Sequence, residues 1–160
     1  MKPPVFVDTN IPIYAAGRPH ELRGPCRQIM RFISERPVMF FTDAEVLREL
    51  LHRYLALRLW PHGKKVFETF ATVMRDHIEP VSVQDVQKAA DLADQCEGIA
   101  ARDLLHVAVM MRLGSGCIVS ADRDFDRIRA IERLDPANFA VWQDQVSLQV
   151  EEPSDGAGNK

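Results

Sequence analysis

Four carboxylates stand where this chain could do chemistry: Asp8, Glu49, Asp103 and Asp122. Asp8 directly follows the apolar run Val5-Phe6-Val7, and Asp122 follows Cys117-Ile118-Val119 after two residues. Glu49 and Asp103 fall in the early turns of expected helices. Singly, each has a structural reading. An acid in a first turn offsets the helix dipole by about 0.3–1 kcal/mol, and an Asp after a strand can close a turn on its own backbone. As a set they read differently, because carboxylates converging within a few ångströms raise one another's pKa and oppose folding until a cation neutralises them. Oxygen donors without Cys or His favour Mg²⁺ or Mn²⁺ over zinc. Such an ion can activate water and stabilise negative charge on a phosphoryl oxygen.

Convergence requires elements that bring these positions together. Short apolar runs alternate with helical stripes along the chain, the pattern of an α/β fold with a mainly parallel sheet. Residues 5–7, 38–41 and 117–119 are expected strands, and 80–83 a short extended piece. Pro12 and Gly17-Arg18-Pro19 are expected to break the chain. Leu22, Cys26, Ile29, Met30 and Ile33 recur at helical spacing, with Pro25 confined to a first turn. Thr42-Asp43-Ala44-Glu45 has the form of a capping box. On that reading Glu45 reaches back to Thr42 and leaves Glu49, one turn on, as the free acid. Beside Val46 and Leu50 an unpaired Glu49 would be costly.

Pro61 and Gly63 read as a break before a helix carrying Val66, Phe67, Phe70, Val73 and Met74. Val86, Ala89, Ala90 and Ala93 mark the next helix, expected to end at Gly98. Residues 104–111 are apolar at every position but His106, so that helix is expected to be buried nearly all round and to stop at Gly114. In open parallel sheets ligands gather at the carboxyl ends of strands, where strand order reverses. Asp8 and Asp122 occupy such ends.

The remaining composition sets bounds. With 160 residues, 46% hydrophobic and 27% charged, one compact domain over 1–150 and a disordered polar tail over 151–160 are expected. Cys26, Cys96 and Cys117 are odd in number and lack metal-site spacing, which argues against a disulfide framework and for a reducing, cytoplasmic setting. No run approaches the roughly 20 apolar residues of a membrane span. The net charge of −3 is unevenly divided: residues 1–75 carry 12 basic and 7 acidic residues, and 76–160 carry 8 and 16. That division fits either two solvated faces or a basic surface for a polyanion beside an acidic site.

Four segments in order resemble the PIN-domain metal-dependent ribonucleases, especially VapC-type toxins of toxin–antitoxin pairs. They are residues 5–10, VFVDTN; 42–50, TDAEVLREL; 101–108, ARDLLHVA; and 119–125, VSADRDF. The resemblance covers about residues 5–136 and implies a three-layer α/β/α domain. It implies that Asp8, Glu49, Asp103 and Asp122 hold Mg²⁺ or Mn²⁺ and activate water, with Thr9, Asn10 and Ser120 as polar neighbours. Asp124 is implied as a supporting acid that could exchange roles with Asp122. Ser120 stands where many members have Thr and keeps the hydroxyl. The implied activity is endonucleolytic cleavage of RNA, with an antitoxin protein as inhibitor and a homodimer as the assembly. Residues 131–136, IERLDP, also resemble one PIN subgroup, so a small PIN nuclease that is not a toxin stays open, as does a non-catalytic scaffold binding RNA or protein.

Arg18, Arg23, Arg27 and Arg31 are candidate phosphate contacts, with a plain solvated helix face as the alternative. His106 reads as a hydrogen-bonded core histidine and not as a general base. Trp60 and Trp142 read as packing residues before base-stacking ones. Asn10 removes the Asp-x-Asp of a phosphoaspartate phosphatase, and residues 119–125 offer no Lys for a response-regulator receiver.

Overall fold

A computed structural model describes residues 2–148, and the tail expected over 151–160 lies outside the described residues. The chain runs β1 (Val5–Val7), α1 (Asn10–Ala16), α2 (Arg23–Glu35), β2 (Phe40–Asp43), α3 (Ala44–Ala56), α4 (Trp60–Val73), then β3 (Ile78–Glu79). It continues through α5 (Val83–Ala93), α6 (Ala101–Arg112), β4 (Cys117–Val119), β5 (Glu132–Leu134) and α7 (Phe139–Leu148). The strands form one parallel sheet in the order β3-β2-β1-β4-β5, flanked by helices. The α/β expectation holds.

Strand β1 lies at the centre, pairing Val5 with Phe40 of β2 and Phe6 with Ile118 of β4. All three of its residues are buried, as a continuous apolar run in a parallel sheet requires. From β1 the chain steps outward to β3, then returns to β4 on the other side of β1. Strand order therefore reverses between β1 and β4, and the Asp8 N–H donates across that gap to the Val119 carbonyl at 3.1 Å.

Several local expectations are corrected. Thr42 is not a cap: it belongs to β2, and its hydroxyl donates to the Val7 carbonyl at 3.0 Å. Asp43 caps α3 instead, accepting from the Val46 N–H at 2.9 Å, while Glu45 turns outward to Arg48. The full capping box occurs on α5, between Ser82 and Asp85. Strand β2 begins two residues later than expected because Pro37 opens a 3-10 turn over Pro37–Met39. Pro12 does not break the chain: it sits third in α1, where a helix N–H has no internal partner to lose.

Pro61 and Gly63 lie inside α4, and the break falls before it at Arg58, the described non-glycine residue with positive φ. Gly63 lets α4 approach α3 closely, since an added Cβ would fall 2.2 Å from Tyr54. Helix α5 stops at Ala93 and buries Asp85, Ala89 and Leu92, leaving Val86, Ala90 and Ala93 exposed. Strand β3 occupies Ile78–Glu79 and not 80–83. Trp142 is a packing residue, buried against Phe139 with its indole N–H donating to the Asp135 carbonyl at 2.8 Å. Trp60 is half-buried and edge-on to Phe67.

Candidate metal centre

The reversal point gathers the four proposed acids around one cleft of about 180 Å³, lined by Asp8, Glu49, Asp103 and Asp122 together with Thr9 and Asn10. Asp8 is buried at the end of β1. Its Oδ1 accepts from the Thr9 N–H at 2.7 Å, and its Oδ2 accepts from the Ser120 hydroxyl at 2.5 Å and from the Asn10 amide at 3.0 Å. Asn10 also accepts from the Ala121 N–H, and Ser120 Oγ accepts from Asn10 Nδ2 and the Asp122 N–H. These three polar residues stitch the ends of β1 and β4 together.

Glu49 projects from the second turn of α3. Its Oε2 accepts from the Thr9 hydroxyl, and its Oε1 lies 3.2 Å from His106 Nε2. His106, on α6, is wholly buried, and its Nδ1 donates to Asp43 Oδ2 at 2.8 Å. Both ring nitrogens thus face carboxylates, which only accept when ionised. Burial alone would lower the His106 pKa, but the Asp43 hydrogen bond and charge, with Glu49, hold it well above its ordinary 6.5. Glu49 is a mirror case: burial raises its pKa, but the His106 and Thr9 hydrogen bonds outweigh that and keep it below its ordinary 4.5.

The other side of the cleft is sparsely bonded. Asp103 is buried in the first turn of α6, and Asp122 is half-buried beyond β4, where its Oδ1 accepts from the Asp124 N–H at 2.9 Å. Among the described residues no hydrogen bond reaches the Asp103 carboxylate, and Arg102 Nε stands 3.9 Å from it. Burial, then the neighbouring Asp8 charge, pushes the Asp103 pKa up to about 7. Asp8 is likewise raised, chiefly by burial.

Ligand atoms of Asp8, Glu49 and His106 lie within 4.8 Å of one another, and so do those of Asp103, Asp122 and Asp124. Asp124 does not line the cleft and stands 3.7 Å from Arg127. The residues fit a hard divalent cation: the four acids on the cleft offer oxygen donors, and Asp103, buried without a hydrogen-bond donor, is the group that such an ion would satisfy.

The rest of the cleft wall is formed by Ile13, His52 and three arginines, Arg48, Arg53 and Arg102. The sequence reading missed these. Arg53 lies one helical turn beyond Glu49 and Arg102 immediately precedes Asp103, so a search for cations one turn from each proposed acid finds Arg53. Of the arginines proposed instead, Arg27 donates to the Ala15 carbonyl and Arg31 pairs with Glu35. Arg23 is half-buried, and Arg18 lies exposed before α2. None of the four lines the cleft.

This geometry agrees with comparisons to known proteins. The PIN domain family matches residues 5–131. Ribonuclease VapC13 of Mycobacterium tuberculosis is 33% identical over 130 residues, covering 81% of this chain and 98% of the relative. Ribonuclease VapC23 of Mycobacterium tuberculosis is 38% identical over 113 residues, covering 69% and 86%. Among solved structures, VapBC2 from Rickettsia felis, bound to a DNA fragment from their promoter, superposes with a TM-score of 0.65 at 16% identity, covering 82% of this chain and 97% of that one. FitAB bound to an IR36 DNA fragment superposes with a TM-score of 0.62 at 16% identity, covering 83% and 95%. With its acids gathered where β1 and β4 part, and with the match running from β1 to the residue before β5, this chain belongs to the PIN domain family.

Proposed function

We propose that this protein is a metal-dependent endoribonuclease, the toxin of a type II toxin–antitoxin pair, using Mg²⁺ or Mn²⁺ held by Asp8, Glu49, Asp103 and Asp122. The observation that carries the reading is the convergence of those acids on one cleft in a PIN domain whose relatives are named ribonucleases. When bound, the cation supplies Lewis acidity and an activated water for attack on a phosphodiester.

The chain's own groups prepare that chemistry. Thr9, Asn10 and Ser120 fix the Asp8 carboxylate, and Thr9 holds Glu49 from one side. Asp103 and Asp122 complete the donor set, with Asp124 supporting the Asp122 loop. Arg102 and Arg53 offer positive charge at the cleft mouth for phosphates flanking the scissile one, and Arg18, Arg23, Arg27 and Arg31 would extend that contact along a longer RNA.

The VapC relatives support an antitoxin protein as partner, and the homodimer is the assembly we propose with it. Among the described residues no helix is long and apolar enough to cross a membrane, and three free cysteines suit a reducing cytoplasm. The nuclease unit is assigned to residues 1–150 and a polar tail to 151–160.

The test is cleavage of a labelled single-stranded RNA panel with Mg²⁺ or Mn²⁺, with EDTA, and by Asp8→Asn. Metal-dependent cutting that the variant lacks is the expected result. No cutting of any RNA, with no Mn²⁺ bound in calorimetry, would overturn it in favour of a scaffold.

A further inference from the structure

The reading above leaves a buried group without a task. His106 is the polar residue in an otherwise apolar stretch of α6, and it is wholly buried. A polar ring so placed is costly unless both nitrogens are satisfied. Both are, and by acids from different elements: Nδ1 by Asp43 at the end of β2, and Nε2 by Glu49 on α3. Phe6 of the central strand packs on the ring with centroids 5.0 Å apart, which limits its rotation.

Asp43 is fixed in turn. It is wholly buried, and its second oxygen caps α3 through the Val46 N–H at 2.9 Å. The same carboxylate therefore sets the start of the helix that carries Glu49 and the orientation of the ring that touches Glu49. With Thr9 on Oε2 and His106 on Oε1, the long Glu49 side chain has both oxygens placed before any ligand arrives. A free Glu loses rotamer entropy on ordering, so fixing it in advance favours binding.

We infer that the Asp43–His106 pair is a positioning device: it holds the Glu49 carboxylate in the cleft in the orientation that receives the cation, and His106 itself is not a ligand. Both imidazole nitrogens already face carboxylate oxygens, Asp43 Oδ2 at 2.8 Å and Glu49 Oε1 at 3.2 Å, so the ring stands behind Glu49 as its support. The inference rests on the metal-site reading above and adds to it the two residues behind Glu49.

Two variants separate positioning from packing. His106→Gln places an amide N–H near the former Nε2, keeps a donor for Glu49 and abandons Asp43. His106→Asn places it near the former Nδ1, keeps Asp43 and abandons Glu49. Both remove the ring from Phe6, and thermal unfolding of each is recorded as the folding control. Mn²⁺ titration by calorimetry, without RNA, is the main readout. His106→Asn is expected to weaken Mn²⁺ binding by about 10–100-fold, the range seen when a partner behind a ligand is lost, with His106→Gln weakening it less, because it loses the Asp43 anchor and keeps the donor that touches Glu49.

Equal losses in the two variants, or none in His106→Asn, would overturn the inference while leaving the metal site standing. So would ¹⁴N imidazole coupling in the pulsed electron paramagnetic resonance of bound Mn²⁺ that persists in His52→Gln, because His52 also lines the cleft and its removal leaves His106 as the direct ligand. A wild-type protein that binds no Mn²⁺ would remove this inference and the metal-site reading together.

Discussion

The two sides of the acidic cleft are held by different means. On the β1 and α3 side, Asp8 and Glu49 have their oxygens engaged by Thr9, Asn10, Ser120 and His106. On the α6 and β4 side, Asp103 lacks a hydrogen-bond donor among the described residues, and Asp122 is held through a short turn to Asp124. The first side is held by the chain's own groups, with the His106 ring between Asp43 and Glu49. The second keeps unbalanced negative charge, which makes it the side where a cation changes most. Preorganisation at one half and charge deficit at the other separate geometry from affinity: in the proposed metal site the bonded half would fix where an ion sits, and the poorly bonded half would supply much of the drive to bind it.

The largest effect should come from Asp8→Asn, which removes a charged oxygen ligand from the bonded half and turns one acceptor of its hydrogen-bond frame into an N–H donor. RNA cleavage should fall by more than the roughly 100-fold upper range for supporting residues, and a residual rate above that level would break the assignment. Thr9→Val tests the frame itself. Losing the hydroxyl that holds Glu49 should weaken Mn²⁺ binding by about 10–100-fold in calorimetry.

On the other half, Asp122→Asn and Asp124→Asn are compared directly. The first should weaken Mn²⁺ binding strongly and the second only a few-fold, since Asp124 lies off the cleft. The opposite order would exchange their roles.

The comparison also predicts a pH dependence. Asp103 titrates at about 7 against an ordinary 3.8, so the folded, metal-free protein binds that proton more tightly than the unfolded chain does. Its contribution to stability is therefore full below 3.8 and declines as pH rises to about 7. Cation binding must displace the proton, so Mn²⁺ affinity should fall by up to about tenfold per pH unit below that point. Calorimetry at pH 5.5 to 8 in buffers of different ionisation enthalpy would count the protons released; zero at pH 6 would contradict a protonated Asp103.

The smallest effect concerns charge at the rim. Arg102→Gln should lower the salt dependence of RNA binding by about one phosphate's worth, and Arg31→Gln, on an α2 face off the cleft, by less. Equal slopes would move the RNA path toward α2.

How much of this was legible depends on where the signal lies. Asp8 follows an apolar run directly and Asp122 follows one after two residues, so strand ends expose them without knowledge of tertiary structure. Glu49 is legible as the acid one turn past Glu45, although Glu45 turns out to pair with Arg48 and Asp43 to hold the cap. The role of His106 is not legible, because Asp43 lies 63 residues away and nothing local marks that pairing. Strand β5 is hidden because Glu132-Arg133-Leu134 holds one apolar residue, its pairing with β4 being set by backbone register. Helix α1 is hidden by Pro12, whose cost disappears at a third helical position.

The strand order β3-β2-β1-β4-β5 also governs when the cleft can exist. Its central strand is the first to be synthesised, yet one neighbour begins at Phe40 and the other at Cys117. During translation Asp8 and Glu49 emerge long before Asp103 and Asp122, and β1 cannot gain its second partner until β4 has cleared the ribosome. The donor set therefore stays incomplete for most of synthesis. On the proposed donor set, a nascent or truncated chain that ends before β4 lacks Asp122 and the second neighbour of β1, and is expected to be inactive.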